Sequence, residues 1–262
     1  NGETDAAYEG IFPLLQDGLK TTSWCSTLFL LASTYDQDMH ANPNNPSATN
    51  GTDQAWGGNR ARPDLVKKFF PTGNVPNLES YATAEAAGDD RALFCGVNRT
   101  LDNDDVSTFK SGFGVAKFTN FKTDGSAGHD ATFPDADFFL MRAAEAYLNF
   151  AEADARLNGG ETTAEGTAAI NAIRKRANAT TREDKSYSLN DICDEWSREF
   201  YFEGRRRMDL IRFNRYGGNV NYNWQWKGGT KEGRNFSKDL NIFAIPTNEL
   251  TSNKNLIQNP GY

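Results

Sequence analysis

Histidine and cysteine are scarce. Two histidines and three cysteines occur in 262 residues, and Cys25, Cys95 and Cys193 show no C-x-x-C spacing. A zinc site needs several such ligands at short, regular intervals, so none is expected. At most one disulfide could form, leaving an odd thiol; three buried small hydrophobes is the simpler assignment. No run of about 18 apolar residues is present, so no segment reads as a membrane-spanning helix. Positive charge is also short. The 28 Lys and Arg face 35 Asp and Glu, a net −7, which argues against nucleic acid and against a polybasic membrane-surface mode. Catalytic signatures are missing as well: there is no Ser-His-Asp order, phosphate loop or metal cluster. LDNDD at 101–105 has the composition of a calcium loop's opening, but lacks the glycine at the sixth position and the glutamate at the twelfth, and reads as an acidic turn. The chain starts NGETDAAYEG, without methionine, signal peptide or lipid-attachment cysteine. The expectation is that processing or truncation removed an upstream segment, and that any anchor lies there.

What the chain does have is length for one large or two small domains, and aromatic residues at 12%, many in Gly- and Asn-rich surroundings. Residues 10–15 form a short apolar run ending in an Asp-Gly turn signal, a strand into a turn. Residues 27–32 (TLFLLA) are a strand or the start of a helix, which periodicity does not decide. From 33 to 62 Asn, Pro, Gly and Ser dominate, predicting a long irregular loop, and loops of that length are functional or disordered. A short helix is predicted after Pro63, with Leu65, Val66, Phe69 and Phe70 on one face. Residues 72–135 read as strands and loops, the best strands being 92–98 and 113–121.

The remainder is helical. Residues 138–158 place Leu140, Ala144, Tyr147, Leu148, Ala151 and Ala155 at helical spacing, closed by Gly159-Gly160. Thr162 and Glu165 have capping-box spacing before a helix to about residue 177, with Ala168, Ala172 and Ile173 inward. Two Ala-rich helices in succession predict an antiparallel hairpin of tetratricopeptide type. Ser188 and Asp191 then cap a helix that runs into DEWSREFYFEGRRRMDLIRF at 194–213. Read as one helix, that stretch sets Glu199, Glu203 and Arg206 on a single stripe. Gly204 inside it costs about 1 kcal/mol relative to alanine and implies a close backbone neighbour. Acids facing bases beside large aromatics fit either an active site or a structural ion-pair network of Glu199, Glu203, Arg206 and Arg212. The network is preferred, because satisfied ion pairs perturb charge without chemistry. A second aromatic loop follows, holding Tyr216, Tyr222, Trp224 and Trp226. Residues 240–246 (LNIFAIP) read as a strand and 247–262 as an extended tail.

The ordered motifs in 138–158, INAIRKRA (170–177), REFYFEGRRRMDLIRF (198–213), IFAIPTNEL (242–250) and NLIQNPGY (255–262) resemble the C-terminal half of the SusD/RagB family. TLFLLAST and AWGGNRARPDLVKKF are similar to its central region. The resemblance implies a mainly α-helical, SusD-like fold with irregular loops and short strands. Residues 1–135 would be a ligand-facing region, 136–215 a tetratricopeptide-like helical region and 216–262 a C-terminal loop, strand and tail, all in one continuous unit. It implies a surface-exposed outer-membrane lipoprotein that captures glycan for a TonB-dependent, SusC-like transporter, with no cofactor and no catalytic residues. The family's lipidated N-terminus and N-terminal helices have no counterpart here.

Sugars present flat C–H faces and hydroxyls, so their sites pair aromatic platforms with planar hydrogen-bonding groups. The loop 33–62 supplies Tyr35 and Trp56 as platforms and Asp36, Asp38, His40, Asn42 and Asn45 as partners. Packing is the competing role for Trp56, whose WGG resembles a family motif. Trp224 and Trp226 form a second candidate platform, for which covering the core is the alternative. Two other classes compete: a glycoside hydrolase using Asp36 and Asp38, and a helical interaction scaffold. Carboxylates two residues apart on a loop would not be held on opposite sides of a glycosidic bond, and a scaffold leaves the aromatic loops unexplained.

Overall fold

The computed structural model describes residues 60–108, 110–118, 122, 124, 126, 128–129, 140–218 and 221–262, with the backbone of 13–14 and 138–139. Seven helices are found among these residues: α1 (Pro63–Val66), α2 (Ser80–Ala87), α3 (Ala143–Leu157), α4 (Ala164–Arg176), α5 (Leu189–Phe200), α6 (Arg206–Arg212) and α7 (Thr247–Ser252). The strands are short: β1 (Pro13–Leu14), β2 (Arg60–Ala61), β3 (Phe94–Cys95), β4 (Phe113–Val115) and β5 (Phe138–Phe139). The fold is therefore mainly α with short strands and irregular connections. The chain divides into two compact units, Asn1–Glu199 and Phe200–Tyr262.

In the first unit β4 lies between β2 and β3, antiparallel to both, with Ala61 opposite Phe113 and Phe94 opposite Val115. All three β4 residues are buried, so a strand covered on both faces shows an unbroken apolar run rather than alternation. Gly96 has a specific reason to be glycine, since a Cβ there would stand 2.5 Å from the Phe113 ring. The helix predicted after Pro63 is present as α1 and a 3₁₀ turn over Lys67–Phe69, with Val66, Phe69 and Phe70 buried. Phe69 meets Phe94 edge-on at 5.5 Å. Helix α2 was absent from the sequence expectation of strands and loops. SYATAEAA has high intrinsic helix propensity but almost no apolar periodicity, and Gly88 ends it at φ +60°.

The hairpin of α3 and α4 is present and the two helices pack together, although three details differ from expectation. Helix α3 begins at Ala143, and Phe138–Phe139 belongs to a strand paired with β1. Ala144, Leu148, Ala151 and Ala155 are buried as predicted, whereas Leu140 and Tyr147 are 57% and 46% exposed. In α4 the buried face is Ala169, Ile170 and Ile173; Ala168 and Ala172 face outward. Thr162 is not the cap. The helix starts after Thr163, whose N–H and hydroxyl donate to Asp154 at 2.7 and 2.9 Å, while the Thr162 hydroxyl bonds Thr167. The C-terminal turn of one helix thus fastens the N-terminus of the next. At Ser188 the capping box does form: Ser188 N–H donates to Asp191 at 2.9 Å and Asp191 N–H to the Ser188 hydroxyl at 3.2 Å.

The stretch 194–213 is two helices rather than one. Phe202 and Gly204 adopt left-handed φ of +61° and +74° between α5 and α6. Nothing lies within 4 Å of the position a Gly204 Cβ would occupy, so this glycine serves the turn and not a close backbone approach. In the second unit, α6 ends in a Schellman motif, with Asn214 at φ +56°, its N–H on Ile211 and the Arg215 N–H on Leu210. Residues 240–246 do not pair as a strand. The Gln258 side chain donates to Ile245 O at 2.9 Å and accepts from its N–H at 2.8 Å, Asn259 donates to Phe243 O, and the Tyr262 hydroxyl donates to Ile242 O. Side chains of the QNPGY end do what a neighbouring strand would otherwise do for this backbone. Residues 247–252, expected as extended tail, are α7.

Asp154→Ala should lower the stability of the first unit by about 1–2 kcal/mol, the usual cost of removing a helix-start acceptor. Urea unfolding followed by circular dichroism would measure it, and no change would mean that water replaces the carboxylate.

Candidate functional site

Two groups of side chains have the chemistry of a site. The first is on α5. Glu195 and Glu199 are one turn apart and share a face, and both are almost fully buried. Glu195 accepts from Arg91 at 2.8 Å, Arg174 at 2.7 Å and Arg198 at 2.7 Å. Glu199 accepts from Arg142 at 2.5 Å, Arg176 at 2.6 Å and Arg91 at 3.0 Å. Arg91 is held in turn by a two-bond fork to Asp89, at 2.8 and 2.7 Å. The Glu199 carbonyl accepts from Arg142 at 2.8 Å and from Lys117 at 2.9 Å.

Burial by itself would push these carboxyls up. The surrounding guanidiniums outweigh it: Arg198, Arg91 and Arg174 hold Glu195 well below the usual carboxylate range, and Arg142, Arg91 and Arg176 hold Glu199 at about 2. Burial weakens the Arg91 cation, but Glu195, Asp89 and Glu199 more than compensate and raise it well above its ordinary value. Both glutamates are thus held in the ionised form by several guanidiniums each, and neither is poised to exchange a proton near neutral pH. This arrangement clamps segments together. Of the residues expected in the network, Glu199 is at its centre. Glu203 is half-buried in the turn after α5, Arg206 donates to the Tyr222 hydroxyl at 2.8 Å, and Arg212 pairs with Asp209 at 2.9 Å. Glu195 and Arg198 belong to the charged helix itself, whereas the arginines at 91, 142, 174 and 176 come from elsewhere in the chain. Arg91 reaches its acids across 104 and 108 positions, a separation that carries no local pattern.

The second group lies in the unit Phe200–Tyr262 and consists of rings and cations. Tyr216 stacks on Trp224 at 6.2 Å with 20° between planes, and Trp224 lies 6.5 Å from Tyr222. Phe236 closes edge-on against Tyr216 at 5.0 Å. Lys227, although charged, is buried. Its ammonium donates to Tyr222 O at 2.6 Å, Asn235 Oδ1 at 3.0 Å and Arg215 O at 3.4 Å, and it sits 4.7 Å from the Trp224 ring centre. Trp226 takes φ +68°, a conformation set by the tight turn in which its N–H donates to Lys231 O. Gly233 has no room for a side chain, since a Cβ would stand 2.4 Å from Trp224 O. Trp224 and Trp226 are half-buried. Rings of this kind, partly open and fixed by a buried cation, can present flat apolar faces to a ligand.

The predicted ligand residues Tyr35, Asp36, Asp38, His40, Asn42 and Trp56 lie outside the described residues. Among the described residues no cluster of three or more His, Cys, Asp or Glu is placed to hold a metal ion, and no helix is long and apolar enough to cross a membrane. Cys95 and Cys193 are buried free thiols, and burial pushes Cys95 up to about 11.

Comparison with known proteins follows the same lines. The model of the SusD family matches residues 80–262. A starch-binding protein, SusD of Bacteroides thetaiotaomicron, is 36% identical over 98% of this chain, which spans 50% of that protein's length. Among solved structures, a SusD-like protein from Bacteroides fragilis superposes with a TM-score of 0.59 at 20% identity, over 97% of this chain and 54% of the other. Surface glycan-binding protein A from Bacteroides thetaiotaomicron superposes with a TM-score of 0.50 at 22% identity, over 82% and 44%. These structures share the fold.

Glu199→Gln should destabilise the fold by roughly 3–5 kcal/mol, because it removes one charge from a buried cluster and leaves the others. Glu203→Ala, at a half-buried turn, should cost no more than about 1 kcal/mol. The folded-state value of Glu199 lies below its ordinary 4.5, so the stability it contributes is fully present above that pH. It should be lost as pH falls from 4.5 towards about 2. Thermal melts across this window would test it, and a flat profile in wild type would contradict the assignment.

Proposed function

The chain belongs to the SusD family, and on that premise we propose that it is a non-catalytic glycan-binding protein of the bacterial cell surface. It would capture oligosaccharide at the outer membrane and pass it to a SusC-like, TonB-dependent transporter. What carries the reading is the 36% identity with a starch-binding protein over 98% of the chain. The half-open ring array of Tyr216, Tyr222 and Trp224 supports it, since flat faces with flanking donors suit a sugar. The non-catalytic reading is supported by a relative that is named as a binding protein and by the use of Glu195 and Glu199 as acceptors of several guanidiniums each. Glycan contacts are assigned to Tyr35, Asp36, Asp38, His40, Asn42 and Trp56 on the first aromatic loop and to Trp224 and Trp226 on the second. We read residues 1–135 as the ligand-facing region, 136–215 as a helical region and 216–262 as a C-terminal segment.

Electrophoresis through gels containing soluble polysaccharide should show retarded migration with no release of reducing sugar. Release of product would make the protein a hydrolase, and unretarded migration in every polysaccharide would remove the binding function. Tyr35→Ala should weaken affinity by about tenfold, the loss of one aromatic contact of about 1.4 kcal/mol, with the melting temperature nearly unchanged. A large fall in melting temperature would instead place Tyr35 in the core. Co-purification with a SusC-like transporter tests the delivery step separately.

A further inference from the structure

Charge is distributed very unevenly. Residues 200–262 contain ten Lys and Arg against five Asp and Glu, a net +5, whereas residues 1–199 contain 18 against 30, a net −12. A chain that is acidic as a whole therefore carries one distinctly basic unit, and a segregation of this kind marks an interaction surface. Within that unit the cations are interleaved with the rings. The Arg207 guanidinium lies 5.0 Å from the Tyr216 ring centre, Tyr216 stacks on Trp224, Trp224 neighbours Tyr222, and the Arg215 guanidinium lies 4.8 Å from the Tyr222 ring centre. The result is a ladder of three rings with an arginine at each end.

The terminal arginines are not neutralised. Asp209 is occupied by Arg205 and Arg212. Among the described residues no carboxylate pairs with Arg207, Arg215 or Lys238. Arg207 uses one nitrogen on the carbonyls of Leu240 and Asn241 and its plane lies 3.9 Å from the Phe243 ring centre. The Arg215 side chain donates no hydrogen bond among the described residues, although it is half-buried. Lys238 is exposed, and its Cβ lies 3.6 Å from the place where a side chain on Gly218 would begin. It therefore flanks the same 215–218 segment. Asp239 beside it is engaged by the Ser237 hydroxyl at 2.8 Å.

We propose that this ring ladder is a subsite for an acidic oligosaccharide, one bearing carboxylate or sulfate groups, with Arg207, Arg215 and Lys238 as its anion partners. The proposal rests on the glycan-binding reading above and specifies the class of sugar. Rings alone accept neutral and acidic sugars equally. The Arg215 guanidinium, and the N–H groups of Arg207 beyond the one nitrogen held by the Leu240 and Asn241 carbonyls, add planar, charge-assisted donors that a carboxylate or sulfate satisfies and a hydroxyl matches less well. The rings in turn favour a saccharide over an acyclic glycerol or serine phospholipid headgroup, which has no flat C–H face to lay on them.

The test compares binding of a polyuronate and of the same polymer after chemical reduction of its carboxyls, by affinity electrophoresis and calorimetry with the full chain. The polyuronate should bind more tightly, and its advantage should shrink as salt is added. Arg215→Gln should lose roughly fivefold for the polyuronate and leave the reduced polymer unaffected, while Arg215→Lys should retain part of the difference. Circular dichroism and melting temperature confirm that each variant is folded; should Arg215→Gln fail to fold, Lys238→Gln provides the same comparison at an exposed position. Equal affinity for the two polymers overturns the subsite and leaves the glycan-binding function standing. Binding to neither of these polymers nor to any neutral polysaccharide overturns both. Equal losses for both polymers in Arg215→Gln would make the residue a packing element. Binding to vesicles of anionic phospholipid without binding to the polyuronate would assign the basic face to a membrane.

Discussion

Two ionised carboxylates inside the first unit impose the main constraint on its architecture. Glu195 and Glu199 are excluded from water by the same helix face that buries Ile192, Cys193 and Trp196, and a buried charge is tolerable only when donors surround it. Those donors come from separate places: Arg91 after α2, Arg142 at the start of α3, Arg174 and Arg176 in the last turn of α4, and Arg198 on α5 itself. Each segment must reach the same point with side-chain accuracy. Apolar packing alone would tolerate sliding of these helices, whereas a two-bond fork such as Arg91 on Asp89 tolerates very little. The network thereby fixes register, and its groups are consumed in doing so.

The second unit solves a different problem. It has 63 residues and little regular structure, so backbone groups and loops must be held by side chains. Lys227 pins three carbonyl-type acceptors from inside the aromatic loop, and Gln258, Asn259 and Tyr262 service the extended backbone of 242–245. With its polar needs met internally, the loop leaves its rings half-open. Phe243 remains 69% exposed while covering Arg207. Side chains already held by such contacts have less freedom left to lose on meeting a ligand.

Regular local signals carried much of the fold. The α3–α4 hairpin, the cap of α5 at Ser188 and Asp191, the short helix after Pro63 and buried strands near 94 and 113 follow from periodicity, capping chemistry and turn residues. Failures occurred where two conformations share one local signal. LNIFAIP has strand composition, yet its hydrogen-bond partners are side chains of the chain end. FYFEGRRR has helical charge spacing, yet Phe202 and Gly204 turn left-handed and split it. In α4 the spacing of alanines marks a helix and Ile173 is buried, but Ala168 and Ala172 are exposed, because alanine is equally at home exposed and buried. The ring site was legible only as composition: Trp224 and Trp226 were visible, while the arrangement of Tyr216, Trp224 and Tyr222 between two arginines was not.

Sequence alone determined the family, the helical character and the two places where aromatics gather in polar surroundings, because these depend on residue order and on interactions within a few positions. Only the tertiary structure decided which glutamates are buried, since the arginines that make burial possible arrive from as far as 108 positions away. It likewise decided that Glu199 and not Glu203 is central, a difference made by a break in the helix one turn later. A salt bridge between distant residues leaves no periodic trace in the chain. Its partners become neighbours only when the helices have packed.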